Sequence, residues 1–261
     1  HPRHCPAPPP GASPALPPPF LRRRKRSLRD SIRPVLLRRT KDQVTPELPE
    51  KTEMVRLVEL SKTQKDLYET IRASMNEKVR KLMNEKGVAR SQIEILEALL
   101  KLRQICCHPD LLKSSEQSYP SAKLDYLLEM VAELLDEGRR IIIFSQFTSM
   151  LAILEKALTD LGLPYVKLTG KTRDRETPVK QFQQGDTPLF LISLKAGGAG
   201  LNLTAADCVI HYDPWWNPAV EQQATDRAWR IGQDKPVFVY RLICEGTVEE
   251  RIQALQHRKA S

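Results

Sequence analysis

The strongest chemical signal in the sequence is one glutamine and two arginines, Gln223, Arg227 and Arg230, spaced four and three residues apart. On a helix, this spacing places the three side chains on one face. Guanidinium groups are always charged and bind phosphate oxygens through a planar fork, so this face is suited to hold a polyphosphate. An arginine there can also stabilise the charge that develops in phosphoryl transfer. The alternative is a solvent-facing helix whose arginines pair with Glu221 and Asp226, and spacing alone leaves both interpretations open.

A glycine-rich segment at residues 193–203 directly follows an apolar run. Its glycines, Gly197, Gly198 and Gly200, let the backbone turn sharply or let amide groups approach an anion. The segment is weak evidence by itself. It leads into a second apolar run and then into DPWWNP at residues 213–218, where the adjacent tryptophans could stack on a ligand or pack in the core.

The elements that must position these motifs alternate between helix and strand from residue 123 onwards. Apolar runs separated by amphipathic helices predict an α/β fold, with a parallel sheet covered by helices on both faces. In such a sheet we expect the chemistry, and these motifs with it, in the loops beyond the carboxyl ends of the strands. The expected strands are 140–145, 165–168, 189–193, 208–212 and 237–243, and the expected helices are 123–137, 149–161, 176–184, 218–230 and 247–257.

Residues 61–112 predict two helices that precede this α/β region. Ser61 is a candidate N-cap, and Gln64 stands three residues later, as in a capping box. Apolar side chains recur at helical spacing in two stripes, one at residues 67–82 and one at residues 93–105. The two opposing apolar faces indicate an antiparallel hairpin that ends at residues 108–109.

Composition places limits on the class of protein. The chain of 261 residues is 41% hydrophobic and 28% charged, and no apolar run approaches the ~20 residues of a membrane span. Its five cysteines include no C-x-x-C pair, so we predict neither a disulfide framework nor a metal site. Residues 1–41 carry a net charge of +10 and the rest −1, so a nucleic-acid surface on the body must be a local patch. The basic run at residues 22–26 is either a solvated tail or a phosphate-binding arm.

Several segments together resemble the ATPases of the Swi/Snf type in helicase superfamily two. Their sequences are most similar to those of the bacterial-type members. Residues 191–233, LISLKAGGAGLNLTAADCVIHYDPWWNPAVEQQATDRAWRIGQ, resemble motifs V and VI of that family. IIIFSQF at 141–147 resembles motif IV, and KLTGKTRDRETPVKQF at 167–182 resembles the segment that follows it. LLRRTKDQVTPELPEKTE at 36–53 resembles the connector between the two lobes, and LRQICCHPDLL at 102–112 resembles the end of the helical protrusion.

The resemblance implies a fold and a domain order. It implies a RecA-like C-terminal helicase lobe at residues 114–261, preceded by a helical protrusion at residues 55–113. An inter-lobe connector would occupy residues 28–54. Residues 1–27, rich in proline and arginine, are expected to be a disordered arm.

The resemblance also implies roles for individual residues. Arg227 and Arg230 would face ATP bound on a partner lobe, with Arg230 as the arginine finger, and Gln223 and Gly198 would help to close that site. One departure is Trp229, where the family often has histidine. The residues that would line a DNA track, mostly along one strand's backbone, are Ser145, Gln146, Thr172, Lys195, Asn202 and Trp216.

The sequence lacks the other half of an ATP site. TGKT at 169–172 has tyrosine where a phosphate-binding loop needs its first glycine, and DEGR at 136–139 ends an amphipathic helix rather than a buried strand. We therefore expect a missing N-terminal ATPase lobe to supply the phosphate-binding lysine and the Mg²⁺ ligands. ATP and Mg²⁺ would be bound by the intact enzyme and not by this chain alone, which would not hydrolyse ATP.

The expected partners are that lobe and double-stranded DNA, with a protein–DNA complex as a further candidate substrate and no membrane. The expected location is the cytoplasm, at the nucleoid if the protein is bacterial. Three alternatives stay open. The chain could belong to a strand-separating helicase, although the connector LLRRTK and the block DPWWNP argue against that class. It could also serve as a non-catalytic DNA- or partner-binding module, or be a purely structural domain. The last leaves the arginine face unexplained.

Overall fold

A seven-stranded sheet forms the centre of the part of the chain that the computed structural model describes, namely residues 34–38, 48–112, 118–196 and 200–260. The strands are β1 (Pro34–Arg38), β2 (Lys51–Val58), β3 (Ile141–Ser145), β4 (Val166–Leu168), β5 (Leu189–Ser193), β6 (Cys208–His211) and β7 (Val237–Cys244). Their order across the sheet is β1-β2-β7-β6-β3-β5-β4. All strands other than β1 are parallel to one another, and β1 pairs antiparallel with β2 at the edge of the sheet.

Helices cover both faces of the sheet. They are α1 (Lys62–Lys86), α2 (Gln92–Cys107), α3 (Ala122–Asp136), α4 (Thr148–Asp160), α5 (Glu176–Gln183), α6 (Pro218–Thr225) and α7 (Val248–Ala260). Alternate residues of β3 serve two cores, because side chains along a strand point to opposite faces. Ile141 and Ile143 pack with α3 and α4, whereas Ile142 and Phe144 pack with α5 and α6. The predicted α/β fold with a helix-covered parallel sheet is confirmed.

The strand β2 was not predicted. Residues 51–58 run parallel to β7 along its whole length, so the expected boundary between residues 54 and 55 falls inside a strand. The strand carries charged residues at Lys51, Glu53 and Arg56 and lacks the apolar run of the central strands. Most of the expected connector and the whole of the expected arm at 1–27 lie outside the described residues.

The helix predicted for residues 218–230 is wrong beyond Thr225, where α6 ends. Thr225 is buried, and its hydroxyl is hydrogen-bonded to the His211 ring at 3.0 Å. The carbonyl of Arg227, which a continued helix would commit to residue 231, instead accepts a hydrogen bond from the Leu203 amide at 2.8 Å. Residues 226–230 therefore form turns, and the arginines do not share a helical face with Gln223.

The two protrusion helices follow the prediction at their ends and depart from it on their surface. Ser61 caps α1 by accepting from the Gln64 amide at 3.4 Å. The Gln64 side chain does not complete a capping box, because it donates to the Ile105 carbonyl and accepts from the Ala122 amide. The second apolar stripe is buried only towards its carboxyl end, since Ile93 and Leu96 are 70% and 62% exposed.

The buried ends of α1 and α2 join the protrusion to the α/β body. Tyr68 and Ile105 pack with Val248 and Ile252 of α7 in a third core. Among the described helices, none combines the length and apolar character that a membrane span requires.

Candidate functional site

The carboxyl ends of β3 and β6 meet at a buried carboxylate, Asp213, which is 5% exposed. It accepts hydrogen bonds from the Ser145 hydroxyl at 2.5 Å and from the Gln146 amide at 3.2 Å. Burial raises the pKa of the Asp213 carboxyl, while the Ser145 hydrogen bond and the Lys123 charge oppose that rise. Asp213 thus fixes the loop between β3 and α4, and Ser145, predicted to touch DNA, is 2% exposed and turned towards it.

A buried arginine from the protrusion stands beside this loop. Arg103 of α2 is 7% exposed, and its guanidinium carbon lies 5.6, 5.4 and 5.5 Å from the ring centres of Phe147, Trp215 and Trp216. The guanidinium donates to the Gln146 side-chain oxygen. Burial lowers the pKa of Arg103, and the Asp213 charge opposes this. The arrangement joins α2 directly to two residues predicted for the DNA track.

A second buried cation, Lys123 of α3, lies under the same edge of the sheet. Its ammonium donates to Glu249 at 2.5 Å and to the carbonyls of Tyr212 and Leu242 at 2.8 and 3.1 Å. Burial disfavours its charged form, but the attraction of Glu249 outweighs burial and raises the pKa of Lys123. The pair therefore links α3, the ends of β6 and β7, and α7.

The two predicted catalytic arginines lie at the opposite end of α6 from Trp216. They belong to the arginine turn, which we define as residues 226–230. The Arg227 carbonyl accepts from Leu203, and Arg230 Nη1 donates to the Leu201 carbonyl at 3.0 Å. The turn is therefore fixed to the loop that leads into β6. The expectation that these arginines stand at the carboxyl edge of the sheet is wrong.

The start of β2 braces the arginine turn from the other side. Trp229 Nε1 donates to the Pro49 carbonyl at 2.8 Å. The Lys51 ammonium lies 4.3 Å from the centre of the Trp229 ring and 3.4 Å from the Gln222 side-chain oxygen. The tryptophan that departs from the expected histidine thus connects the segment before β2 to the residues that carry the arginines.

The remaining predicted site residues are spread over the loops. Gln223, Lys195 and Asn202 are exposed, and Gly198 lies outside the described residues. Asn202 is near the arginine turn, because its neighbours Leu201 and Leu203 bond to that turn. Thr172 follows β4, where its hydroxyl accepts from the Thr169 amide at 2.9 Å. The structure therefore brings Gln146 and Trp216 together around Arg103 and places the arginines elsewhere.

The alternative of a solvent-facing, salt-bridged helix is wrong for Glu221, which is 1% exposed. Its carboxylate accepts from Arg241 at 3.2 Å, from the Trp215 amide at 3.2 Å and from the Gln256 side chain. Burial raises the pKa of Glu221, and Arg241 opposes the rise. Through Glu221, α6 is bonded to β7, α7 and the loop after β6.

Comparisons with known proteins agree with this arrangement. The family model described as the helicase conserved C-terminal domain matches residues 122–232, and that of the SNF2-related domain matches residues 21–111. The C-terminal domain of the Sulfolobus solfataricus SWI2/SNF2 ATPase is 32% identical, with a TM-score of 0.64, and the match covers 81% of this chain and 87% of that one. The chain belongs to the SWI2/SNF2 family.

Other members extend the SWI2/SNF2 comparison. The Sulfolobus solfataricus SWI2/SNF2 ATPase core in complex with duplex DNA is 36% identical with a TM-score of 0.68, over 80% of this chain and 44% of that one. A Bacillus subtilis protein named as an ATP-dependent helicase/translocase, YwqA, is 42% identical over 89% of this chain and 26% of its own length. The chain spans about a quarter of the length of such curated relatives.

Three buried charged residues that lie beside predicted site residues or under the same edge of the sheet were absent from the prediction: Arg103, Lys123 and Glu249. Arg103 and Lys123 are charged residues in helices that are otherwise largely apolar, which was the available signal, whereas Glu249 lies in a largely polar helix and gave none. Their partners are 43 and 126 positions away in the chain, so the sequence could not name them.

Cys106, Cys244 and Glu249 bring three potential metal ligands within 4.8 Å of one another, all buried. Two observations argue against a metal there. Glu249 is already paired with the Lys123 ammonium, and the Cys244 thiol donates to the Cys106 carbonyl. Burial raises the pKa of the Cys244 thiol, which disfavours the thiolate form that binds metals.

Proposed function

We propose that this chain is the second motor lobe of a DNA-dependent ATPase that moves along duplex DNA. The observation that carries the proposal is the pair of bonds between the arginine turn and the loop before β6. The backbone of Arg227 is bonded to Leu203 and the guanidinium of Arg230 is bonded to Leu201. A nucleotide bound against the turn would therefore meet the held guanidinium of Arg230 and a second arginine, Arg227, on a fixed backbone.

In this proposal, Arg227 and Arg230 bind phosphate oxygens of ATP held on a first ATPase lobe. Arg230 is the finger that stabilises the charge developing in phosphoryl transfer, and Gln223 and Gly198 help to close the site. The sequence of this chain lacks a phosphate-binding loop, so the first lobe would supply that loop and the carboxylate that holds Mg²⁺. We therefore expect no ATP turnover from this chain alone.

The DNA track in this proposal follows the loops beyond the carboxyl ends of the strands. Gln146, Thr172, Lys195 and Trp216 would contact the backbone of duplex DNA, with Asn202 nearer the arginine turn. Ser145 would act from beneath, through Asp213. Contacts to the DNA backbone allow the protein to move along the duplex without recognising the base sequence. A related SWI2/SNF2 ATPase core whose structure is solved in complex with duplex DNA supports the choice of partner. Strand separation is not part of the proposal. The proposed place of action is the cytoplasm, at the nucleoid if the protein is bacterial.

The test is ATP turnover by the native-length gene product, with and without duplex DNA, for wild type, Arg230→Ala and Arg230→Lys. Removing an arginine finger costs roughly 10³–10⁵-fold in turnover in other phosphoryl-transfer enzymes. We expect Arg230→Ala to lose DNA-stimulated turnover while retaining DNA binding. Lysine should restore little, because it cannot form the planar fork. Arg251→Ala, which removes an exposed arginine of α7, is the matched control.

Two results would contradict the proposal. Measurable turnover by residues 1–261 alone, abolished by Arg230→Ala, would mean that a complete ATP site lies within this chain. Full DNA-stimulated turnover by Arg230→Ala in the longer protein would remove the finger role. If the longer protein binds DNA but turns over no ATP, the chain is instead a non-catalytic binding module with an idle motor fold.

A further inference from the structure

The side chains of Trp229 and Arg230 are bonded to two different parts of the fold. Trp229 Nε1 donates to the Pro49 carbonyl at 2.8 Å, whereas Arg230 Nη1 donates to the Leu201 carbonyl at 3.0 Å. Because the two residues are adjacent in the chain, these bonds leave the peptide group between them little freedom to rotate. The orientation of the Arg230 side chain therefore depends on the bond that its neighbour makes.

The acceptor of the Trp229 bond is itself fixed to the sheet. The carbonyl of Glu50, the residue after Pro49, accepts from the Val237 amide at 3.0 Å. Val237 begins β7, and β2 then pairs with β7 along its whole length. Through Pro49, the indole thus ties the arginine turn to the edge of the parallel sheet.

Lys51 holds the ring of Trp229 in place. The Lys51 side chain is only 10% exposed, and its ammonium lies 4.3 Å from the centre of the ring, where the π face attracts a cation. The same ammonium donates to the side-chain oxygen of Gln222, whose amide nitrogen donates to Asp226 at 2.8 Å. The ring also packs against the core between the sheet and α6. Lys51 therefore reaches the arginine turn at its first residue, Asp226, as well as at Trp229.

We infer that Trp229 is a positioning residue for Arg230, which fixes the backbone of the arginine turn so that the guanidinium meets the phosphoryl group being transferred. Arginine carries five N–H donors, and the bond to Leu201 needs only one of them. Misplacing a catalytic group by about 1 Å can cost roughly 10²-fold in rate, so a bond that holds the preceding residue matters for a finger. The inference rests on the proposed function, which makes Arg230 that finger.

The experiment compares the binding of two nucleotides to the native-length gene product. ADP with Mg²⁺ and aluminium fluoride imitates the phosphoryl group during transfer, whereas ADP alone lacks that group. In Trp229→Phe, which removes the donor to Pro49, the affinity for the analogue should fall about fivefold, equivalent to ~1 kcal/mol for one hydrogen bond. In Trp229→Leu, which also removes the ring beside Lys51, it should fall about tenfold. The affinity for ADP should not change, and kcat should fall while the KM for ATP stays constant.

A second measurement needs no nucleotide. The Leu203 amide donates to the Arg227 carbonyl, so its hydrogen exchange reports whether the arginine turn remains docked. Mass spectrometry of peptides that contain Leu203 should show exchange about fivefold faster in Trp229→Phe, with peptides from β3 unchanged. Trp229→His, which keeps a ring N–H donor, should recover part of what Trp229→Phe loses in both measurements.

Tyr165→Phe is the matched control. It also removes one donor from a half-buried ring, because the Tyr165 hydroxyl donates to Glu155 at 3.3 Å. Tyr165 precedes β4, at the opposite edge of the sheet from β2. Affinity for the analogue, turnover and exchange at Leu203 should all equal those of wild type.

A double variant separates the inference from the proposed function. Arg230→Ala should lower the affinity for the analogue, and adding Trp229→Leu should lower it no further, because Trp229 acts through Arg230. Losses that multiply, equal losses for ADP and the analogue, or unchanged binding and exchange in Trp229→Leu would each overturn the positioning role alone. If Arg230→Ala binds the analogue as wild type does, Arg230 is not a finger, and the inference is lost with the proposed function. Urea unfolding checks that each variant folds, and if Trp229→Leu does not, Trp229→Phe takes its place in the double variant.

Discussion

Replacing Lys123 with methionine should lower the free energy of unfolding by about 3–5 kcal/mol, the usual cost of removing one partner from a buried ion pair. Lys123 has no exposed surface, and its ammonium bonds to one carboxylate and two carbonyls. Methionine keeps most of the apolar stem. It leaves Glu249 buried with the Cys244 amide, at 2.9 Å, as its remaining hydrogen-bond donor among the described residues.

The expected loss in free energy of unfolding is large relative to the total, so it can be measured. The free energy of unfolding of folded proteins is roughly 5–15 kcal/mol, so the variant should lose a large fraction of its stability. Asp213 adds to the penalty, because Lys123 is one of the charges that oppose the rise of its pKa. Adding Glu249→Gln to Lys123→Met should recover part of the loss, since glutamine leaves no buried charge and can still accept from Cys244.

The assay is urea unfolding followed by circular dichroism, with comparison of midpoints at constant slope. Lys167→Met is the matched control. Lys167 forms the same kind of pair with Glu155, at 2.7 Å, but its side chain is 37% exposed, so the expected cost is ~0–1 kcal/mol. The reasoning is refuted if Lys123→Met costs no more than this control, or if Glu249→Gln in the Lys123→Met background recovers nothing.

Two other predictions concern pH and the arginine turn. Burial, assisted by the Arg241 charge, holds the pKa of His211 well below its ordinary value, so unfolding takes up a proton below about pH 6.5. The free energy of unfolding should then fall by up to about 1.4 kcal/mol per pH unit as the pH drops below 6.5. In His211→Gln, the free energy measured by urea unfolding between pH 5 and 7 should fall less steeply with decreasing pH. Equal pH dependence in the two proteins would contradict this. Trp229→Phe removes the donor to Pro49 and should cost about 1 kcal/mol, measured the same way, and an unchanged midpoint would show that this bond does not brace the arginine turn.

The central strands were predictable because they are buried on both sides. All five residues of β3 and of β5 are buried, so each strand had to be a continuous apolar run. β2 was missed because its side chains are only half-buried, apart from Val58. That environment admits Lys51 and Glu53, which pair with each other at 3.7 Å, and Glu53 also pairs with Arg241 of β7.

The candidate site was less predictable, because local spacing carries no information on distant hydrogen bonds. The intervals between Gln223, Arg227 and Arg230 fit a helix equally well whether or not the helix continues. Its end depends on the Leu203 amide, which takes the Arg227 carbonyl from a loop more than twenty positions earlier. The resemblance to the family supplied the candidate residues, and the structure supplied their separation.

That separation gives α6 a mechanical role in the proposed function. The helix has eight residues and, at 1.5 Å per residue, is about 12 Å long. One end follows the tryptophans beside Arg103, and the other end leads into the arginine turn. Glu221, bonded to Arg241 and to the Trp215 amide, ties the first turn of α6 to the sheet. Trp216 of the proposed DNA track and the proposed ATP contacts therefore lie at the two ends of one short, anchored helix. In the proposed function, a shift imposed at either end would be transmitted as a movement of the helix as a whole or absorbed at the bonds of Glu221.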